Sequence, residues 1–346
     1  MAYTTINKST DYFEGKTYLG SSSAVTVSGL QFQPDWIWVK DRDNTNNHCL
    51  VDAVRGVGKY IQSDNTSAEV NNSSQSISAF TSDGFTTGTA NPANESNSAT
   101  KGFMSWNWKA NGAGSVDSSS GSISATVSAN ATAGFSIIKF TNPSSGNFTI
   151  PHGLGVAPDM LIFKCTGGSQ SWFVLHKDLT SFTDRYLRLQ TTASEINYTM
   201  QSQAPTSTLL YLNSGGVSNA NTETICYAFA SKTGYSKFGK YKGTSSTDGA
   251  FIYTGFKPTF FMAKCIDNAE SWYMFDNKRE GYNVDNDSLF SDNTGTESTT
   301  DWLDILSNGI KFRYNSIGLN GSSNNYIYMA FGQSIVGSNN IPATAR

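Results

Sequence analysis

The chain has 346 residues, a formal net charge of −3 and only 15% charged side chains, against roughly 25% in a typical soluble domain. No basic stripe alternates with aromatics, and no apolar run approaches the roughly 18–20 residues that span a bilayer, so nucleic-acid binding and membrane insertion are both unexpected. Ser, Thr, Asn, Gly and aromatic residues take the place of the missing charges, a mixture suited to short strands joined by turns.

In chain order, the N-terminal MAYTTINKSTDYFEG lacks the basic region and apolar core of a signal peptide, so a product made in a cytoplasm is expected. YFEGKTYLGSSSAVTVSGL opens the first set of elements, and LQFQPDWIWVKD then reads as a buried strand started at a turn by Pro34 and closed by Lys40. HCLVDAVRG follows. ISAFTSDGF carries the hairpin signal Asp83-Gly84, and Phe103 to Trp108 forms an aromatic closing strand. Ala110 to Ala133 is rich in Ser, Gly and Ala and reads as a linker or surface loop.

The same order then returns twice. LGVAPDMLIFKC and TGFKPTFFMAKC repeat the proline-to-lysine strand with Pro158 and Lys164, and with Pro258 and Lys264, six residues apart each time. SWFVLHKDL matches SWYMFDNKRE, with His176 and Asp276 in the place of Asp52. Asn213 to Gly216 and Asn308-Gly309 are read as hairpin turns, and Ile225 to Phe229 and Ile327 to Phe331 as closing strands. From Pro34 to Pro158 is 124 residues and from Pro158 to Pro258 is 100, an excess that matches the 110–133 stretch. Internal repetition of this kind sets the architecture. The expectation is an all-β chain of three tandem β-sandwich repeats, jelly-roll or lectin-like with short loops: 1–109, then 134–232, then 233–346 with a C-terminal tail.

Catalytic chemistry finds little footing. The three histidines, His48, His152 and His176, accompany no nucleophile-elbow motif. Asp35 and Asp159 follow the shared prolines, but Thr259 stands at the third such place, so paired carboxylates for glycan hydrolysis are not expected. Asp41-Arg-Asp43-Asn44 and Asp285-Asn-Asp287 alternate oxygen ligands without completing a calcium loop. Four cysteines show no metal-ligand spacing and read as buried thiols. Most tryptophans belong to the recurring strands and read as core, with Trp302 assigned to a loop. No catalytic residue, cofactor or metal is expected.

FQPDWIWVKDRDNTNNHCLVDAVRGVGKYIQSDNTSAE, FMSWNWKANG, GYSKFGKYKGTSSTDGAFIYTGFKPTFFMAKC and the ending YIYMAFGQSIVGSNNIPATAR resemble a family of repeat-containing, tail-fibre-like virion structural proteins of marine tailed bacteriophages. The resemblance implies a non-enzymatic component exposed on the phage particle. Its partners would be other virion proteins and a host surface glycan or protein, its localisation the virion, and its assembly a homo-oligomer, a trimer by analogy. Host attachment by receptor or glycan recognition is the expected role. Capsid decoration or a neck or tail accessory is the alternative, and a glycan-cleaving enzyme trails both. The recognition or assembly loops are expected between recurring strands, at Asp41, Asp43, Asn44 and Asn47, at Ser169 and Gln170, and at Asp267, Asn268 and Glu270. Pro34, Lys40, Pro158, Lys164, Pro258 and Lys264 are expected to define the recurring framework.

Overall fold

A computed structural model describes residues 4–95, 100–279, 283 and 285–334. They form an almost purely β structure with a 3₁₀ turn at Ser9–Asp11 and two single-turn α-helices, α1 (Ser214–Val217) and α2 (Ile317–Asn320). The first segment runs β1 (Phe13–Leu19), β2 (Thr26–Val27), β3 (Trp36–Asp41), β4 (Cys49–Asp52), β5 (Lys59–Tyr60), β6 (Val70–Asn71), β7 (Ile77–Thr81), β8 (Gly84–Thr87) and β9 (Gly102–Trp108). The second runs β10 (Ser115–Asp117), β11 (Ala125–Asn130), β12 (Phe135–Thr141), β13 (Asn147–Pro151), β14 (Met160–Cys165), β15 (Phe173–His176), β16 (Arg185–Tyr186), β17 (Ile196–Asn197), β18 (Leu209–Asn213) and β19 (Glu223–Phe229). The third runs β20 (Ser236–Lys242), β21 (Phe251–Tyr253), β22 (Phe256–Cys265), β23 (Trp272–Asp276), β24 (Asp285–Phe290), β25 (Ser298–Leu306), β26 (Gly309–Phe312) and β27 (Asn325–Ser334). The expected C-terminal tail, from 335 onward, lies outside the described residues.

One antiparallel strand order appears in all three segments: β1-β9-β3-β4, β12-β19-β14-β15 and β20-β27-β22-β23. The proline-to-lysine strand is central each time and pairs with the aromatic closing strand, as in Trp38↔Trp106, Ile162↔Tyr227 and Met262↔Met329. Strands in such a place are buried on both faces, which is why they read as unbroken apolar runs rather than as alternation. Pro34 and Pro158 precede their strands by two residues. Pro258 lies inside β22, where the register shifts between Pro258 and Phe260, a bulge that spares the ladder a missing donor.

Alternate residues serve two cores. One face of each sheet feeds a shared centre: Trp36, Trp38, Trp106 and Trp108; Phe135, Ile162, Tyr227 and Phe229; Phe260, Met262, Met329 and Phe331. Rings from different segments meet there, with Trp36 stacked on Tyr227 at 4.3 Å and Phe13 on Phe331 at 5.2 Å between centroids. The other face packs a local core beneath an outer layer: β2-β8-β7, β13-β18, and β24 to β26 with β21. Each segment is thus sandwich-like, and the tryptophan core belongs to all three at once.

Several sequence expectations shift. The 110–133 stretch does not pass as a simple loop: β10 and β11 add to the edge of the second sheet through β12. Its Ser-rich composition concealed a strand in ATVSAN, whose Ala125 and Ser128 are buried. Asn213 to Gly216 is no hairpin turn, because Asn213 Oδ1 accepts the Gly215 amide and caps α1. Trp302 lies on β25 and is 7% exposed, not on a loop. Gly84 and Gly309 do close hairpins, but close approach rather than left-handed φ demands glycine there. A Cβ on Gly84 would lie 1.8 Å from the Val27 carbonyl oxygen, and one on Gly309 2.0 Å from that of Ile252.

Candidate functional site: inter-segment loops and an added cleft

The framework lysines are fully buried, and each reaches across a boundary between segments. Lys40 Nζ donates to its own Asp41 carbonyl at 2.7 Å and to Thr294 of the third segment at 3.2 Å. Lys164 Nζ donates to Gln170 at 2.6 Å and to Thr66 of the first segment at 3.0 Å. Lys264 Nζ donates to Cys265 at 2.7 Å and to Thr192 of the second segment at 3.1 Å. Burial pushes all three ammonium groups down to about 8.

Backbone and ring contacts follow the same cycle. The amides of Glu69, Glu195 and Glu297 donate to the carbonyls of Thr166, Ile266 and Arg42 at 3.0, 2.9 and 3.0 Å. Trp172 Nε1 donates to Gln62 at 2.8 Å, Trp272 Nε1 to Arg188 at 2.9 Å, and His48, at the matching place in the first segment, directs Nε2 to Phe290 at 2.9 Å. First docks on second, second on third and third on first. Three equivalent contacts that close on themselves are the pattern of a threefold rotation.

The expected recognition or assembly loops occupy those boundaries. Asp41 is buried and organises its loop, its Oδ1 accepting the amides of Asp43 and Asn44 at 2.9 and 3.0 Å. With Asn44 and Asn46 on its other oxygen, its lone pairs are consumed without a cation. Asp43 holds the Gly102 amide at 2.7 Å, and Asn47 reaches Asp64 at 2.6 Å. Ser169 Oγ and the Gln170 amide both donate to Thr66 of the first segment, at 3.1 and 2.8 Å. Asp267 holds the Asn325 amide at 2.7 Å, Asn268 lies beside the Cys265 sulfur, and Glu270 has its carboxyl raised by burial. The tips Asp43, Ser169 and Asp267 are exposed. Ser169 and Gln170 thus join the second segment to the first, the contacts of Asp41, Asp43, Asn47 and Asp267 stay within their own segments, and the tips face solvent.

The histidines are committed to packing. Each accepts at Nδ1 and is placed to donate at Nε2: His48 between the Trp38 indole and Phe290, His152 between the Leu154 amide and Thr206, and His176 between the Asp178 amide and Tyr328. This fixes one neutral tautomer in each, and burial pushes His48 and His176 down to about 3. Asp52 binds Arg55 and accepts the Tyr227 hydroxyl at 2.8 Å; Asp276 binds Arg279 and accepts the Trp106 indole at 3.0 Å. Asp35 and Asp159 bind backbone amides at Ala110 and Ser231, and Thr259 bonds the Phe331 carbonyl in the same place. Among the described residues no group of three His, Cys, Asp or Glu side chains is placed to hold a metal.

Sequence reading passed over a second feature. The β10–β11 hairpin borders a cleft on each face. One, of about 400 Å³, lies between the hairpin, the Pro151–Gly155 turn and Ser207–Thr208; Asn111, Asp117 and Ser120 line it. The other, of about 340 Å³, has Lys139, Thr141 and Glu223 on its wall. Hydrogen bonds from Ser120 and Ser119 hold the Asp117 carboxyl down to about 2. The signal available in the sequence was the length excess of the second segment, which placed extra chain where the other two have none.

Residues 8–334 match the family described as a domain of unknown function, DUF7483. That is nearly the whole chain, and the protein belongs to this family. No curated protein matches it in sequence.

Proposed function

We propose that the chain is a non-enzymatic structural protein exposed on a bacteriophage particle, with tail-fibre-like recognition of a host surface glycan or protein as its role. The observation that carries this reading is the closed cycle of buried lysine, indole and backbone contacts, which ties the three segments to one another while the loop tips at Asp43, Ser169 and Asp267 stay in solvent. A rigid frame presenting polar loops is the usual design of a recognition protein. The neutral, doubly bonded histidines support a non-catalytic reading, because none retains a free nitrogen for proton transfer.

Copy number and position on intact particles test the proposal, by quantitative mass spectrometry and labelled-antibody imaging. A few copies to a few dozen at the tail is the expected result. Hundreds spread over the head would replace recognition by capsid decoration, and absence from purified particles would overturn the virion assignment.

A further inference from the structure

We infer that the cleft built by the β10–β11 hairpin binds a neutral sugar, as the terminal ring or two of a surface glycan; this rests on the recognition reading above. The hairpin is the principal departure from the strand order shared by the three sheets, since among the described residues β10 and β11 have no counterpart beside β1 or β20. Its inner strand β11 buries Ala125 against the local core of the second segment, whereas on the outer strand β10 Ser115 and Val116 are exposed, Val116 at 70%.

The lining selects the ligand class. The side chains of Asn111, Ser207 and Thr208 reach the cleft without being consumed by hydrogen bonds within the protein. Asp117 presents a carboxylate at any ordinary pH, with Oδ1 taken by the Ser119 and Ser120 amides at 3.0 and 2.9 Å. A carboxylate only accepts hydrogen bonds, whereas amide and hydroxyl groups do both, so the set complements neighbouring hydroxyls, each donor and acceptor together. Val127, Ala129 and Pro151 supply an apolar strip for the C–H face of a sugar ring. An anionic ligand would meet Asp117 with no cation in the lining. A metal ion would find one carboxylate where it needs several ligands. A volume of about 400 Å³ falls at the small end of the roughly 300–1,000 Å³ typical of small-molecule sites. Gly153, at φ +68°, and Gly155, at φ +72°, keep the rim low, and a Cβ on Gly153 would approach Ala129 to 2.7 Å.

The test uses the full chain, labelled with ¹⁵N and titrated with methyl glucoside, galactoside and mannoside, alongside an array of neutral and acidic oligosaccharides. The expected result is saturable shifts at the Gly114, Gly121, Gly153 and Gly155 amides with at least one neutral sugar. Asp117→Asn should weaken binding about tenfold, the loss of one charge-assisted bond. Thr208→Trp, at an exposed position, should fill the cleft and abolish binding with the fold intact. Glycan binding that survives Thr208→Trp would overturn the cleft and leave recognition standing. Failure of the wild-type chain to bind any glycan, neutral or acidic, would overturn the cleft and remove the glycan branch of the proposed function with it.

Discussion

Replacing Asp276 by Ala should break one of the bonds that return the third segment to the first. Its carboxylate, fully buried, accepts the Trp106 indole at 3.0 Å, Arg279 Nε at 2.8 Å and the Lys278 amide at 2.9 Å. Truncation strands the buried Arg279 guanidinium, a loss of about 3–5 kcal/mol when one partner of a buried pair is removed. Glu297, 2.7 Å from Arg279 Nη1, retains part of the compensation, while the orphaned indole adds about 1 kcal/mol or more. We expect a net loss of about 4 kcal/mol. At about 2 cal/mol/K per residue of unfolding entropy, 346 residues melting together would lose only about 5–6 °C in Tm. A segment of about 100 residues melting alone would lose about 20 °C and form a separate early transition. Scanning calorimetry distinguishes the two. A cycle with Trp106→Phe should show coupling of about 1 kcal/mol, and additivity within about 0.5 kcal/mol would refute a direct bond across the boundary.

Acidification should destabilise the chain through its histidines. With folded values near 3 for His48 and His176, only the unfolded state takes up protons below its ordinary value near 6.5, so stability present above pH 6.5 is lost as pH falls. Between pH 7 and 5 this amounts to about 2 kcal/mol for each residue, measurable by urea titration; an unchanged midpoint would contradict their burial as neutral rings. Raised values at Asp35, Asp64 and Asp292 act in the opposite sense and oppose the trend at lower pH. The four cysteines are buried, and burial pushes Cys49 up to about 12, so a thiol reagent at pH 8 should find no reactive cysteine until denaturant is added, and then four. Gly84→Ala and Gly309→Ala should each cost about 2–3 kcal/mol, since the new methyl must displace a neighbouring backbone carbonyl; a change under about 0.5 kcal/mol in chemical denaturation would show that the strands yield there.

The central strands were legible because a proline, a fully apolar run and a closing lysine survive any one-dimensional reading. What the lysine does was not legible. Its partners are the carbonyls of Thr294, Thr66 and Thr192, near it only once the chain has turned back on itself. The equivalence of His48 with Trp172 and Trp272 was hidden for a related reason, since imidazole and indole share a ring N–H aimed at a carbonyl and little else visible in sequence. Gly84 and Gly309 were found for the wrong cause, as turn formers rather than as gaps for an approaching strand. The added cleft was missed because Ser- and Gly-rich composition describes a loop and a polar edge hairpin equally well.

The measurement closest to the central claim, that these contacts close the chain into one body, is scanning calorimetry of the wild-type protein. A closed cycle predicts one transition whose calorimetric enthalpy, about 240 kcal/mol for 346 residues at about 0.7 kcal/mol per residue near 60 °C, equals the van't Hoff value. Two or three resolved transitions, each with a van't Hoff enthalpy of about 70–80 kcal/mol as expected for a unit of about 100 residues, would mean that the segments stand independently and that the cycle contributes nothing to stability.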